Sequence, residues 1–181
     1  MTLTTLLDSL QTLGKGKQGR EKSFAAALHH ISAYLCLLFK VRESEVALFM
    51  RQANGMVRFV LPKSLATAEN CFPLVRSTVT KSVFLNGQPI LSNKASRISR
   101  LSIYEYIAGS KQKAMPIQKF IALPVSLEDK TMAVLWISRR GGSRQDVGKD
   151  FTGQDVENTC HLMAIIAPHL HKLTPAHFII T

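Results

Sequence analysis

Groups able to recognise or transform a ligand are unevenly spread along these 181 residues, and one run stands out, Ser92 to Gln118. It opens polar and basic (SNKASRISR), then holds Tyr104, Glu105, Tyr106 and Gly109, and ends in SKQKAMP. Acids are scarce, and most fall where turns or helix caps would place them in solvent. Glu105, between two tyrosines, is the exception. No GxSxG elbow, GxxxxGK[ST] phosphate loop or GxGxxG turn is present, and Lys15 and Lys17 between glycines lack phosphate-loop spacing. With no nucleophile–base arrangement and no acid pair, the chain reads as a non-enzyme. Cys36, Cys71 and Cys160 are far apart and form no CxxC or Cys/His spacing, which fits reduced thiols rather than a metal site. His29-His30 and the His169/His171 pair lack the i, i+4 spacing with a third ligand that zinc wants, so no metal or cofactor is expected.

The net charge is +11. An acidic protein, a nucleic acid or an anionic small ligand would each suit it. The basic residues are dispersed, in groups at Lys15–Lys22, Lys94–Arg100, Lys111–Lys119 and Arg139–Arg144. No helix-turn-helix, aromatic RNA-binding motif or zinc finger accompanies them, which ranks nucleic acid third among these partners. Hydrophobic residues make up 46% and charged residues 19%, a composition that builds a core. No apolar run reads as approaching the roughly 20 residues of a membrane helix. The opening MTLTTLLDSLQTL lacks a basic n-region and carries Asp8, so the expected setting is cytoplasmic, without a membrane.

The elements that would position these groups follow from periodicity. Leu3, Leu6, Leu10 and Leu13 form a short amphipathic helix, broken by the basic linker GKGKQG. Phe24, Leu28, Ile31, Leu35 and Leu38 then repeat four-three-four-three, which suits either a helix packed on its own sheet or a dimer seam. Glu45 to Leu61 reads as a hairpin closed by a type I′ turn at Asn54-Gly55. After a loop, Pro73 is expected to open a helix with Leu74, Val75, Val79 and Val83 on one face, ended by Asn86-Gly87. Gln88–Leu91 is a short strand, and a short helix near Ser99–Ala108 is expected in the irregular run after it.

Lys119 to Val156 is the most legible stretch. Ile121, Leu123, Val125 and Leu127 alternate as a half-buried strand, and Glu128-Asp129-Lys130 closes a hairpin. Thr131–Ser138 is apolar almost throughout, as a strand covered on both faces would be. Thr152 with Asp155 makes a capping box, and Phe151 with Val156 a staple, for a helix from Gly153 to about Lys172. Val156, Cys160, Met163, Ala167 and Leu170 share its apolar face, and Pro168 should bend it.

This order of elements resembles a GAF domain. Four segments carry the resemblance: VALFMRQANGMVRFVLP, SVFLNGQPILSN, FIALPVSLEDKTMAVLWISRR and FTGQDVENTCHLMAIIA. Ala133 stands where members of that family often have glycine. Asn93-Lys94 matches only the start of the signature of the cyclic-nucleotide branch, and Ser92–Gln118 has none of the clustered cysteines of the free methionine sulfoxide reductases.

The resemblance implies an α/β (α+β) fold. It has a central antiparallel sheet of about five or six strands, terminal helices on one face and the variable segment on the other. The implied domain is residues 21–173, with an N-terminal helix and linker at 1–20 and a tail at 174–181. It also implies a non-catalytic sensory module that binds a small molecule, an anion in preference to a neutral one, between sheet and segment. The candidate contacts are Asn93, Arg97, Tyr104 and Tyr106, over a floor of Phe59 and Trp136. The terminal helices would relay binding to a partner protein and pair in a homodimer through Phe24, Leu28, Ile31, Leu35, Met163 and Leu170. The alternative is a ligand-free dimeric module docking an acidic partner.

Overall fold

Two antiparallel hairpins set side by side make the sheet. The structure, a computed structural model, describes residues 1–16, 19–52, 54–67, 71–74, 78–95 and 115–178. The first hairpin pairs β1 (Val46–Arg51) with β2 (Met56–Leu61), and the second pairs β5 (Ile117–Leu127) with β6 (Lys130–Arg140). β1 lies antiparallel to β6, Val46 opposite Ile137 and Phe49 opposite Val134. Two short strands, β3 (Cys71–Pro73) and β4 (Ile90–Ser92), finish the edges, giving the order β3-β2-β1-β6-β5-β4.

The strand period of two divides the core. Val46, Leu48 and Met50 of β1 join Leu123, Val125, Leu135 and Ile137 on one face. Ala47 and Phe49 join Phe120, Ala122, Val134 and Trp136 on the other. β6 is buried on both faces, which is why its sequence is apolar almost without break. Three helices cover the first face: α1 (Leu3–Lys15), α2 (Arg20–Phe39) and α4 (Gly153–Leu173). α3 (Val79–Asn86) contributes Val79 and Val83 to the second.

α4 starts where Thr152 and Asp155 place it. The Thr152 hydroxyl accepts from Asp155 N at 3.1 Å, and Thr152 N donates to Asp155 Oδ2 at 2.8 Å. The helix runs through Pro168, on its exposed side, to Leu173. α1 is part of the same core, with Leu6 and Leu10 fully buried, each side chain contributing about 1.5–3 kcal/mol. The tail docks as well: Phe178 is buried against Phe24, ring centroids 5.9 Å apart.

Several expectations need correction. Pro73 ends β3 and opens no helix. On an edge strand its missing N–H is tolerated, and the helix begins later, where the Thr78 hydroxyl accepts from Lys81 N at 3.1 Å. The first hairpin turn runs from Gln52 to Gly55, closed by Gly55 N donating to Gln52 O at 2.9 Å with Gly55 at φ 79°. α2 is 20 residues long with mean hydropathy 1.2, long and apolar enough to cross a membrane by that measure alone. Its apolar face is nevertheless taken up inside the chain, where Phe24, Leu28, Ile31 and Leu35 belong to the core shared with α1, α4 and the sheet. The expected helix near Ser99–Ala108 lies outside the described residues, as does Val75.

The β5–β6 turn uses only two residues, Glu128 and Asp129, between paired Leu127 and Lys130. Both occupy the left-handed region, at φ 51° and 63°. That region is strained for a residue with Cβ, and Asn-Gly fits it best. The double substitution Glu128→Asn with Asp129→Gly should therefore raise stability by about 1 kcal/mol, checked by urea unfolding at constant m-value.

Candidate functional site

The face carrying α3 is the more aromatic. Phe49 and Phe59 stand 4.4 Å apart by ring centroid, with Phe72 edge-on at 5.9 Å and 6.1 Å. Trp136 stacks on Phe120 at 4.6 Å and 23°, and its indole Nε1–H donates to Thr80 Oγ1 of α3 at 3.1 Å. Phe59 and Trp136, the expected floor, thus share this face, and both are fully buried. Phe120 and Thr80 belong with them. Neither drew attention in the sequence, because a strand Phe and a helix Thr are common and their pairing with Trp136 is long-range.

Ser92 at the end of β4 pairs with Phe120 in β5, so the intervening segment leaves and returns at one end of this face. Ala95 is buried in the aromatic core, and Met115 O accepts from Arg140 Nη1 at 3.2 Å where the chain comes back. Arg97, Glu105, Tyr104 and Tyr106 lie outside the described residues.

Asn93 is described, and both ends of its amide hold the backbone of Phe151. Nδ2 donates to Phe151 O at 2.8 Å, and Phe151 N donates to Oδ1 at 2.9 Å. Phe151 is buried directly before the Thr152 cap of α4. Its ring meets Phe39, the last residue of α2, at 6.0 Å, and lies under the Arg139 guanidinium at 4.9 Å. Arg139 also donates to Phe39 O at 3.1 Å. The start of the variable segment, the end of α2 and the start of α4 therefore meet at one residue.

The six side chains expected at a dimer seam are all inside the single-chain core. Phe24, Leu28, Ile31, Leu35, Met163 and Leu170 are each under 10% exposed, because both helices turn these faces into the core shared by the three helices and the sheet. The exposed apolar residues of these helices are instead Leu37, Leu38 and Ile165. Leu38, read as part of the seam, is the member that faces outward.

Part of the positive charge is structural. Buried Lys119 donates to Gly148 O at 2.6 Å and pairs with Asp150 at 2.8 Å, and Arg144 reaches the same carboxylate at 2.7 Å. Hydrogen bonds from Lys119 and Arg144 hold the Asp150 carboxyl below its usual range. Arg140 is 9% exposed. Burial pushes the Cys36 and Cys160 thiols up, so neither is an activated nucleophile. Among the described residues no three His, Cys, Asp or Glu side chains are grouped to hold a metal.

Searches against protein-family models and curated proteins gave no match. Solved structures do match over nearly the whole chain. The GAF domain of a phosphoenolpyruvate-protein phosphotransferase from Coxiella burnetii has a TM-score of 0.64 at 12% identity, covering 94% of this chain and 95% of that one. The corresponding Acinetobacter domain gives 0.61 at 15% identity, covering 92% and 93%. A type II free methionine-R-sulfoxide reductase from Thermoplasma acidophilum gives 0.60 at 14% identity, covering 89% and 99%. The fold is GAF-like.

Proposed function

We propose that this chain is a non-catalytic sensory or regulatory domain. On this reading a small anionic molecule binds over the Phe59–Trp136 face, beneath the Ser92–Gln118 segment. Arg97, Tyr104 and Tyr106 are the proposed contacts, with Lys94 favouring an anion. The observation that carries the reading is the Asn93 clamp on Phe151. A ligand that reorders the segment would pull on the residue where α2 ends and α4 begins, shifting the two helices that a partner would read. Asn93 thus serves in the relay more than in the grip on the ligand.

The fold also hosts an enzyme, the Thermoplasma reductase. This chain has no cysteine between Cys71 and Cys160, which leaves the variable segment without a redox nucleophile. Three free cysteines suit a reducing, cytoplasmic setting.

A second reading, an interaction module, draws on Leu37, Leu38 and Ile165, which put apolar surface on α2 and α4. An acidic partner would have to use other cations than buried Lys119 and Arg140.

A thermal-shift screen of nucleotides and anionic metabolites separates the two. The sensor reading expects at least one compound to raise Tm and alter emission from Trp136, the single tryptophan. It further expects Asn93→Ala to keep that binding while losing ligand-induced protection of amide exchange at the start of α4. If no compound stabilises the chain while cross-linking yields a dimer, the interaction reading stands instead.

A further inference from the structure

The opposite side of the sheet holds a cavity of about 440 Å³, bounded by the N-terminal half of α2, β2, the turn after Pro62 and the tail at His177-Phe178. Its size is that of a small-molecule site. Phe24, Leu28 and Phe178 give it apolar walls. One side chain on its β2 wall breaks the core pattern. Arg58 pairs with Met50 in the β1–β2 ladder, and Met50 belongs to the helix-side core, so Arg58 occupies a position where an apolar residue would be ordinary. Its Nε is buried without a hydrogen-bond partner among the described residues. Its Nη2 reaches Ala66 O at 3.5 Å, the outer limit of a hydrogen bond. A guanidinium has five donors in a fork that fits a carboxylate or phosphate, and leaving a buried donor unmet is costly.

We infer that this cavity binds a small monocarboxylate with an apolar body, its carboxylate on Arg58 and its body against Phe24, Leu28 and Phe178. Lys63 adds a second cation to the lining. Glu21 and Glu43 line it too, with Glu21 3.6 Å from His177. Two carboxylates beside the site repel a dianionic phosphate more than a singly charged acid. The site opens on the helix side, away from Trp136, although Phe59 of β2 also lines it, and it does not rest on the sensor reading.

Octanoate is the probe, with octylamine and inorganic phosphate as controls, on the full chain. Octanoate should raise Tm in a concentration-dependent way, octylamine and phosphate should not, and Trp136 emission should stay unchanged because that ring faces the other side of the sheet. Arg58→Met should be at least as stable as the parent without ligand, since it removes an unmet donor, and should weaken octanoate by about 10- to 100-fold. Phe178→Ala, which leaves the charges alone, should weaken octanoate as well. The assignment is overturned if octanoate gives no shift, if phosphate stabilises more than octanoate, if Arg58→Met binds octanoate unchanged, or if that variant is destabilised without ligand, which would make Arg58 structural.

Discussion

Trp136→Ala is expected to lower the stability of the chain by about 3–5 kcal/mol, equivalent to a fall in Tm of roughly 10 °C for a chain of this size. Trp136 is fully buried, stacked on Phe120, and its Nε1–H is committed to Thr80 Oγ1. Truncation removes the largest side chain of the second core and leaves the Thr80 hydroxyl, itself buried, without that partner. Thr80→Val separates the terms. It keeps the shape and removes only the hydroxyl that accepts from the indole N–H, which should cost about 1–3 kcal/mol. Urea unfolding followed by circular dichroism measures both, since fluorescence is lost with the tryptophan. A ring used mainly as a ligand floor would tolerate truncation with little loss. A drop under about 1 kcal/mol would contradict the core role, because buried aromatic truncations cost several times that.

Local chemistry was legible where one segment decides its own structure. Phe151, Thr152 and Asp155 declare the start of α4 within five residues, and the unbroken apolar run of β6 declares burial on both faces. Gly87, at φ 62°, ends α3 where Asn86-Gly87 says it should. What one segment could not decide by itself depended on partners far along the chain. The repeat Phe24–Leu28–Ile31–Leu35 looks the same whether it meets a second copy or the chain's own elements, and only the fold shows it buried in the chain's own core. Pro73 is compatible with a helix start or an edge strand, and pairing with Met56 makes it the strand. Asn93, polar and in an irregular run, reads as a ligand contact until Phe151, 58 residues on, is seen between the two ends of its amide. Lys119 and Arg140 count as surface charge in any composition and are buried in the fold.

Glu45 is the strongest case of such a hidden role, and it sets a pH dependence. Its side chain is 7% exposed, and it takes hydrogen bonds from Arg140 N at 2.6 Å, Arg42 N at 2.8 Å, and Arg42 Nη2 and Nε at 2.9 Å and 3.2 Å. Its own carbonyl accepts from the buried Ser138 hydroxyl at 3.1 Å. It therefore fastens the start of β1 to the end of β6. Burial by itself would push this carboxyl up, but the hydrogen bonds from the Arg42 side chain, Arg42 N and Arg140 N, with the Arg42 charge, outweigh it and hold the group below the ordinary glutamate value. A lowered folded pKa means that the carboxylate's contribution is complete above the unfolded value of about 4.3. It is lost as pH falls from there through the folded pKa. Glu45→Ala should cost about 3 kcal/mol at pH 7, chiefly for the orphaned Arg140 and Arg42 amides, since the Arg42 side chain is mostly solvated. The parent should lose stability below about pH 4.3 and the variant should not share that loss, so their unfolding free energies should converge in acid. Unfolding at pH 7, 5 and 3 measures the difference, and a gap that stays constant down to pH 3 would remove Glu45 as its source.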